Sequence, residues 1–279
     1  MRGLLVDGRD RLWVLDTGTG NLGPTLDQRA PRQVGTDTRT DRVIRTIHFP
    51  ANVVLNNTHL NDLRQGKGGV AYITNSGAKS GGGIIVVDLA SGHSWRKLTG
   101  DRSVWAEPTF VPMTDGNPLY LRPKAGVAHY LNLSSDGVAI SPDGGRLYHT
   151  LLASRRLYSV PTAALHDEGM SAATVSVQVR DLREEGVSDG LGEDTAGNVY
   201  TTNYEQNAVM RRLPDGELRT VVRDPRLICP DTLPLHGGYL YVVSNQLNRQ
   251  GAYHWGRDLR KPPYALFRVR VDTQPVILK

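Results

Sequence analysis

The apolar positions of this chain predict short strands. Runs of a few residues rich in Val, Ile, Leu and Tyr alternate with turns that contain Gly, Asp or Pro. Helical spacing is confined to PTAALHDEGM (161–170), which indicates a short helix or turn. No low-complexity run interrupts the pattern. We therefore predict an all-β protein with a single folded domain over 1–279.

The predicted strands follow a recurring unit. Each unit starts with an Asp at the head of an apolar strand, passes through a Gly-containing turn, and reaches a second strand centred on an aromatic residue. The separation from Asp to aromatic is 10 residues for Asp62–Tyr72, 12 for Asp136–Tyr148, 11 for Asp189–Tyr200 and 10 for Asp231–Tyr241. Third strands follow at 83–89, 155–161, 208–214 and 265–271, fourth strands are visible at 93–98 and 217–222, and a shorter first copy occupies 3–18.

Units of four short strands are typical of β-propeller blades, because radial packing covers both faces of each sheet. Five such units can be counted. The stretch 99–131, which contains four of the sixteen prolines, is predicted to be an insertion over one face of the propeller.

Repeat equivalence predicts where polar side chains meet. The first strand of each blade lines the central channel, so Asp62, Asp136, Asp189 and Asp231 are expected at one channel mouth. The loops after the second strands open on the same face and add Asp16, Asn75, Asn203 and Asn245. Such a ring suits a cation, an amine or several hydroxyls. The alternative is structural, since Asp-Gly is common in turns and Asp caps local N–H groups at strand starts.

Charge and cysteine content limit the partners. The net charge of +5 comes from 33 basic and 28 acidic residues that are interspersed, and Arg155-Arg156 and Arg211-Arg212 lie in otherwise apolar strands, so nucleic-acid binding is not expected. The single Cys229, between Ile228 and Pro230, excludes an intrachain disulfide and indicates a buried hydrophobe. No apolar run is long enough for a membrane span, and the start MRGLLVDGRDRLWVLD is too short and too charged for a signal peptide.

Known catalytic and cofactor motifs are weak or absent. The G-x-G-x-x-G pattern at 18–23 is followed by Pro24 and Pro31 instead of a phosphate-binding helix, which favours a loop. The sequence contains no G-x-S-x-G elbow, H-E-x-x-H helix or Cys/His cluster. We expect no cofactor and no metal.

Several segments together resemble the yellow / major royal jelly protein family. They are RLWVLDTG (11–18), AYITNSG (71–77), GIIVVDL (83–89), DGVAISPDG (136–144), SDGL (188–191), PDTL (230–233) and SNQL (244–247). The resemblance covers nearly the whole chain in order. It implies a six-bladed propeller, secretion, and a channel-mouth pocket that in some members binds aromatic amines; other members are associated with dopachrome conversion.

This chain departs from the family pattern in two places. A further blade and a signal peptide usually precede RLWVLDTG, so about five of the six blades are expected here. Cys229 stands where an aromatic residue is expected before Pro230-Asp231. The Arg-rich, Cys-poor composition suggests a bacterial member.

A more distant resemblance is to the gluconolactonase / senescence-marker propellers. Segment 188–191 is similar to their Asp-bearing strand, and Asn61-Asp62 is similar to a substrate-contacting pair. The resemblance implies Ca²⁺ or Zn²⁺ between Asp136 and Asp189, although Asp136 replaces the family's Asn ligand and the Glu-bearing blade is absent.

The leading hypothesis is that the channel mouth binds a small aromatic amine or catechol-type ligand, with catalysis left open. The predicted ligand-binding residues are Asn61, Asp62, Asp136, Asp189, Asn203, Asp231 and Asn245. Asp136 and Asp189 are the candidates for acid–base work in a tautomerisation. The alternatives are a metal-dependent lactone hydrolase and a non-catalytic interaction propeller, and the latter predicts that 99–131 plugs the channel mouth.

Overall fold

The structure, a computed structural model, describes residues 3–18, 31–77 and 81–279. Most of the G-x-G-x-x-G segment lies outside these ranges. Five antiparallel sheets follow one another along the chain and form a β-propeller, which confirms the predicted fold class.

Sheet 1 contains Leu4–Val6, Arg11–Asp16, Arg32–Asp37 and Arg42–His48; sheet 2 contains Leu60–Gln65, Val70–Asn75, Gly83–Asp88 and Ser94–Lys97. Sheet 3 contains Ser135–Ile140, Arg146–Leu151, Arg156–Pro161 and Arg180–Glu184; sheet 4 contains Leu191–Glu193, Val199–Asn203, Ala208–Arg212 and Leu218–Arg223; sheet 5 has three strands, Leu235–His236, Tyr239–Ser244 and Ala265–Arg270.

Short elements complete the described chain. Two helices, Thr162–His166 and Ala172–Ser176, connect the third and fourth strands of sheet 3. The first confirms the element predicted within 161–170. The second has the same length but buries a single residue, Val175, so no apolar spacing marks it in the sequence. Single 3₁₀ turns occur at Lys67–Gly69, Arg102–Val104, Leu247–Arg249 and Gly251–Tyr253.

The strands pack through both faces because neighbouring residues point to opposite sides of a sheet. In sheet 2, Ile85 and Val87 face the cluster shared with sheet 1, whereas Ile84 and Val86 face the cluster shared with sheet 3. A small cluster that includes Leu157 and Leu191 joins sheets 3 and 4, and another joins sheets 4 and 5. Radial packing of this kind is what the continuous apolar strands predicted.

The ring formed by the described residues is open on one side. No apolar cluster within the described ranges joins sheet 5 to sheet 1. Leu4 and Val6 on the first strand of sheet 1 are 56% and 57% exposed, and Leu266 on the last strand of sheet 5 is 64% exposed. Both sheets that flank the open sector therefore present apolar residues to solvent.

The Asp-Gly pairs mark close approaches between inner strands. A Cβ on Gly137 would lie 2.8 Å from the backbone N of Leu191, and one on Gly190 would lie 2.5 Å from the carbonyl O of Asp231. Neither glycine has a positive φ. Glycine is needed here because the next sheet's backbone passes where a side chain would stand. At these positions the Asp-Gly pair is not a turn.

The 99–131 segment packs on a second long connection, 245–264, between the last two strands of sheet 5. It contains two small ribbons, Met113–Thr114 with Asn117–Pro118 and Tyr120–Leu121 with His129–Tyr130. The backbone N of Arg122 donates to Ala252 O at 2.8 Å, and that of Trp255 donates to Arg122 O at 2.7 Å. The two connections together form a cap whose apolar cluster includes Leu131 and Tyr253.

The C-terminal segment 273–279 crosses the opposite face, where the first and second strands of each sheet are joined. The backbone N of Thr195 in sheet 4 donates to Gln274 O at 3.0 Å, and that of Gly68 in sheet 2 donates to Lys279 O at 3.3 Å. Val276 and Leu278 pack against the cluster between sheets 2 and 3. The segment therefore links sheets 2, 3 and 4 on this face of the propeller.

Candidate functional site

A cavity of about 420 Å³ lies at the end of the channel where the inner strands begin. Four equivalent positions on sheets 2 to 5 contribute to its lining, namely Asn61, Asp136, Asp189 and Asp231. Asp136 is 5% exposed and Asp189 is 8% exposed. Asn245, which follows the second strand of sheet 5, completes the polar part of the wall.

Two asparagines donate hydrogen bonds to these carboxylates, and Asn245 bridges two of them. The Nδ2 of Asn61 donates to Asp136 Oδ1, and it also lies 3.0 Å from Ser76 Oγ. The Nδ2 of Asn245 donates to Asp189 Oδ2 at 3.2 Å and to Asp231 Oδ2 at 3.0 Å. Because an amide N–H₂ has two donors and a carboxylate only accepts, each Asn holds its neighbours without neutralising their charge.

The side chain of Asn245 is itself oriented by the backbone. Its Oδ1 accepts from the N–H of Leu247 at 2.7 Å, which fixes which end of the amide faces the carboxylates. The site is thus built by sheets 2 and 3 on one side and by sheets 4 and 5 on the other.

Asp62 stands one residue beyond the equivalent position that Asp136, Asp189 and Asp231 occupy in their sheets. The backbone N–H of Asp62 donates to Thr74 Oγ1 at 3.0 Å, and that of Gly190 donates to Thr202 Oγ1 at 2.8 Å, so Asp62 is equivalent to Gly190. The irregular register between Leu60 and Leu63 is matched in sheet 3 between Ser135 and Val138, so Asn61, and not Asp62, is equivalent to Asp136. Asn61 therefore takes the place in the ring that the repeat had predicted for Asp62.

Three other predicted residues lie away from the cavity wall. Asn203 is 3% exposed, and its Oδ1 accepts from the N–H of Gln206 at 3.1 Å. Asn75 is buried, with its Oδ1 accepting from the N–H of His59 at 2.8 Å. Asp16 lies 3.0 Å from the guanidinium of Arg32. These side chains support loops and strand ends.

Further lining residues could not be found from the repeat. His59 precedes the first strand of sheet 2, and Gln250, Arg260 and Tyr264 belong to the 245–264 connection, which has no counterpart in the other sheets. The Nη2 of Arg260 lies 2.5 Å from Asp258 Oδ2, so this cation is paired at the rim. Leu133, Leu152, Val243 and Leu247 form an apolar wall.

A buried ion cluster lies further along the inner strands. The Nε of Arg64 in sheet 2 lies 3.2 Å from Glu193 Oε2 in sheet 4, and its Nη1 lies 3.2 Å from Asp62 Oδ2. Burial alone would lower the pKa of Arg64, but the charges of Asp62 and Glu193 outweigh it and raise that pKa. Burial also raises the pKa of Glu193, an effect that Arg64 offsets in part.

The donor set does not support the metal-dependent alternative. Within the described ranges, no group of three or more His, Cys, Asp or Glu side chains is placed to hold a metal ion. The carboxylates of Asp189 and Asp231 are instead bridged by an amide. The lactonase hypothesis, which required a cation between Asp136 and Asp189, therefore finds no matching ligand cluster here.

The remaining sequence predictions concern the surface and the thiol. Arg155 lies 2.6 Å from Glu205, Arg156 lies 2.9 Å from Asp181, and Arg212 lies 3.1 Å from Glu185. These cations belong to ion pairs and form no open basic stripe.

Cys229 is 2% exposed, and burial raises its pKa to about 12, as expected of a buried hydrophobe. Within the described ranges, no helix is long and apolar enough to cross a membrane.

Solved structures with a similar fold include two enzymes. A luciferin-regenerating enzyme matches with a TM-score of 0.57 and 14% identity, over 100% of this chain and 94% of that chain. A gluconolactonase from Xanthomonas campestris matches with a TM-score of 0.54 and 15% identity, over 86% of this chain and 67% of that chain. At these identities the similarity establishes the propeller fold alone.

Sequence comparison identifies curated relatives. Major royal jelly protein 1 of Apis mellifera is 28% identical over 212 residues, which cover 71% of this chain and 43% of the relative. Protein yellow of Drosophila yakuba is 30% identical over 173 residues, which cover 58% of this chain and 30% of the relative. The chain thus spans less than half the length of these relatives.

A sequence profile of the major royal jelly protein family matches residues 2–272. The matched region contains all five sheets and the carboxylate-lined cavity. This chain therefore belongs to the major royal jelly protein family.

Proposed function

We propose that the cavity binds a small organic cation, an aromatic amine or catechol-type amine. The observation that carries this proposal is the convergence of Asp136, Asp189 and Asp231, from three sheets, on one cavity of about 420 Å³. Pockets for small ligands usually measure about 300–1,000 Å³. An ammonium group gains charge-assisted hydrogen bonds from carboxylates in such a partly buried setting.

The rest of the lining suits the aromatic part of such a ligand. Leu133, Leu152 and Leu247 offer apolar surface opposite the acidic residues, and Tyr264, 52% exposed, stands at the rim. Apolar walls with a few placed polar groups are the usual composition of a ligand pocket. None of the residues that line the cavity comes from 99–131, so the interaction-propeller alternative, in which this segment plugs the mouth, is not favoured.

Ligand-induced stabilisation tests the binding proposal. We expect tyramine, dopamine and serotonin to raise the melting temperature of the parent protein, whereas p-cresol, which lacks the amine, should not. Asp189→Asn should abolish the shift because it removes a charge that faces the ligand. Asp215→Asn, which removes an exposed carboxylate but keeps the oxygen that accepts from the N–H of Glu217, is the matched control. Equal shifts in both variants, or none with any amine in the parent, would refute the proposal.

The same carboxylates are the candidates for chemistry on a bound catechol derivative. In a tautomerisation one group removes a proton from carbon while another returns a proton to oxygen, and Asp136 and Asp189 face the cavity from two sheets. Dopachrome decay followed by absorbance tests this role. Turnover that survives in both Asp136→Asn and Asp189→Asn would leave binding as the function.

Family membership also supports export from the producing cell. Fractionation of cells that express the full-length gene, with immunodetection of the protein, tests this location. Recovery in the cytoplasmic fraction alone would contradict it.

A further inference from the structure

Arg64 makes a polar connection between sheets 2 and 4, three residues further along the inner strand than Asn61. It starts on the first strand of sheet 2 and reaches the first strand of sheet 4, where its Nη2 donates to Leu191 O at 2.5 Å and its Nε lies 3.2 Å from Glu193 Oε2. Sheet 3 lies between these two sheets along the ring, so the side chain crosses the channel.

The guanidinium is held at both ends. Its Nη1 donates to Leu63 O at 2.8 Å and lies 3.2 Å from both oxygens of Asp62. The planar fork of Arg fixes several bonds at once, which a Lys ammonium does not do. Its side chain is 16% exposed and that of Glu193 is 10% exposed, so solvent screens the pair only weakly.

Arg64 spans the seam between sheets 3 and 4, where the inner apolar cluster is small. The cluster between sheets 3 and 4 contains four fully buried residues, against twelve between sheets 2 and 3. Sheet 5 borders the open sector, where no apolar cluster of the described residues joins it to sheet 1. Small movements of sheets 4 and 5 as a unit are therefore opposed at the inner strands by the small cluster between sheets 3 and 4 and by Arg64, and at the two faces by the cap and the C-terminal segment.

We propose that Arg64 is a positioning residue that sets the separation between the two halves of the cavity. One half carries Asn61 and Asp136, and the other carries Asp189, Asp231 and Asn245. With Arg64 in place the width of the cavity is fixed, and ligands are selected by the length between their ammonium group and ring. The selection of ligands by length rests on the proposed amine binding, whereas the role of Arg64 in setting the distance between the two halves of the cavity does not.

Distance measurements between spin labels test the separation without any ligand. Cysteines are placed at exposed, equivalent hairpins of sheet 2 (Ala90) and sheet 4 (Glu217), in a Cys229→Ala background. Arg64→Met should broaden the distance distribution, and Arg64→Lys should do so less. Arg64→Gln combined with Glu193→Gln avoids leaving one buried charge alone and should broaden it as well. Circular dichroism and gel filtration confirm that each variant is folded.

Two controls isolate the effect. Labels at Thr40 in sheet 1 and Ala90 in sheet 2 report a seam that Arg64 does not cross, and their distance distribution should stay unchanged. Arg156→Met removes an ion pair within sheet 3 and should leave both label pairs unchanged. A sheet 2 to sheet 4 distribution that is identical in the parent and in folded variants at position 64 would overturn the proposal.

Selectivity is measured with benzylamine, phenethylamine and 3-phenylpropylamine, which differ only in chain length. The ratios of their Kd values should approach one in Arg64→Met and stay parental in Arg156→Met. If no amine binds the parent protein but the label distances broaden as expected, the proposed function fails and the positioning role stands. If the amines bind and both ratios and distances stay parental in Arg64→Met, the positioning role fails alone.

Discussion

The Nδ2 of Asn245 lies 3.2 Å from the Oδ2 of Asp189, which joins the loop of sheet 5 to the first strand of sheet 4 at the cavity wall. The same nitrogen lies 3.0 Å from Asp231 Oδ2. A neutral amide thus donates to both carboxylates and adds no charge of its own to this part of the wall.

Asn245→Asp should make the stability of the protein depend on pH. A third carboxylate beside Asp189 and Asp231 loses two hydrogen bonds and adds repulsion, which raises the pKa of the cluster in the folded state. When the pKa of a carboxyl group is raised in the folded state, the folded protein binds the proton more tightly than the unfolded chain. The resulting stability is present at low pH and is lost as the pH rises through the folded-state pKa. We expect the free energy of unfolding to fall by about 1–3 kcal/mol at pH 8 relative to the parent, and by less at pH 5.

Urea denaturation at both pH values checks this, with the exposed Asn117→Asp as control. A variant as stable as the parent at pH 8 would show that the hydrogen bonds from Asn245 to the two carboxylates do not stabilise the fold.

The sequence predicted the propeller and most of the acidic ring, because both depend on local patterns that recur. Asp136, Asp189 and Asp231 occupy equivalent places in apolar strands, and their common height on the axis follows from that repeat. The exchange of Asp62 for Asn61 was missed because the prediction aligned the aspartates. Asp136, Asp189 and Asp231 each stand two positions before an apolar residue, and the residue that stands two positions before Leu63 is Asn61.

Non-local contacts account for the remaining difference. Arg64 and Glu193 are 129 residues apart, and no local pattern pairs them. Arg260 and Tyr264 reach the cavity through a connection that is unique to sheet 5. Contacts of this kind depend on how the sheets close around the axis, which the strand pattern alone does not fix.

His149 should weaken the fold at mildly acidic pH. Its Nε2 lies 3.1 Å from Ser103 O, and burial lowers its pKa to about 4 from an ordinary value of 6.5. The unfolded chain therefore binds the proton first, so the free energy of unfolding falls as the pH drops from about 6.5 to about 4, by at most about 3 kcal/mol.

His149→Gln, which keeps a donor toward Ser103 O, should flatten this pH dependence in chemical denaturation. The exposed His48→Gln should leave the pH dependence as in the parent. Equal slopes for His149→Gln and the parent would contradict the assignment.

Cys229 should be unreactive in the folded protein. The thiol is 2% exposed, and burial raises its pKa to about 12, so little thiolate forms at neutral pH. We expect no reaction with Ellman's reagent under native conditions and one equivalent in 6 M guanidinium chloride. Rapid native labelling would show that the cap formed by 99–131 and 245–264 opens readily.

The C-terminal segment should stabilise the propeller through alternate residues. Val276 and Leu278 are half-buried against the cluster between sheets 2 and 3, whereas Ile277 is 59% exposed. Val276→Ser with Leu278→Ser removes apolar contacts but keeps the backbone bonds to Thr195 and Gly68. Since a fully buried aliphatic side chain contributes about 1.5–3 kcal/mol, the loss of two half-buried ones should lower the free energy of unfolding by about 2 kcal/mol.

Urea denaturation measures the loss, and Ile277→Ser is the control, expected within about 0.5 kcal/mol of the parent. If the control is as destabilising as the double variant, the segment lies on the propeller by its backbone alone; if neither changes stability, it does not connect the sheets.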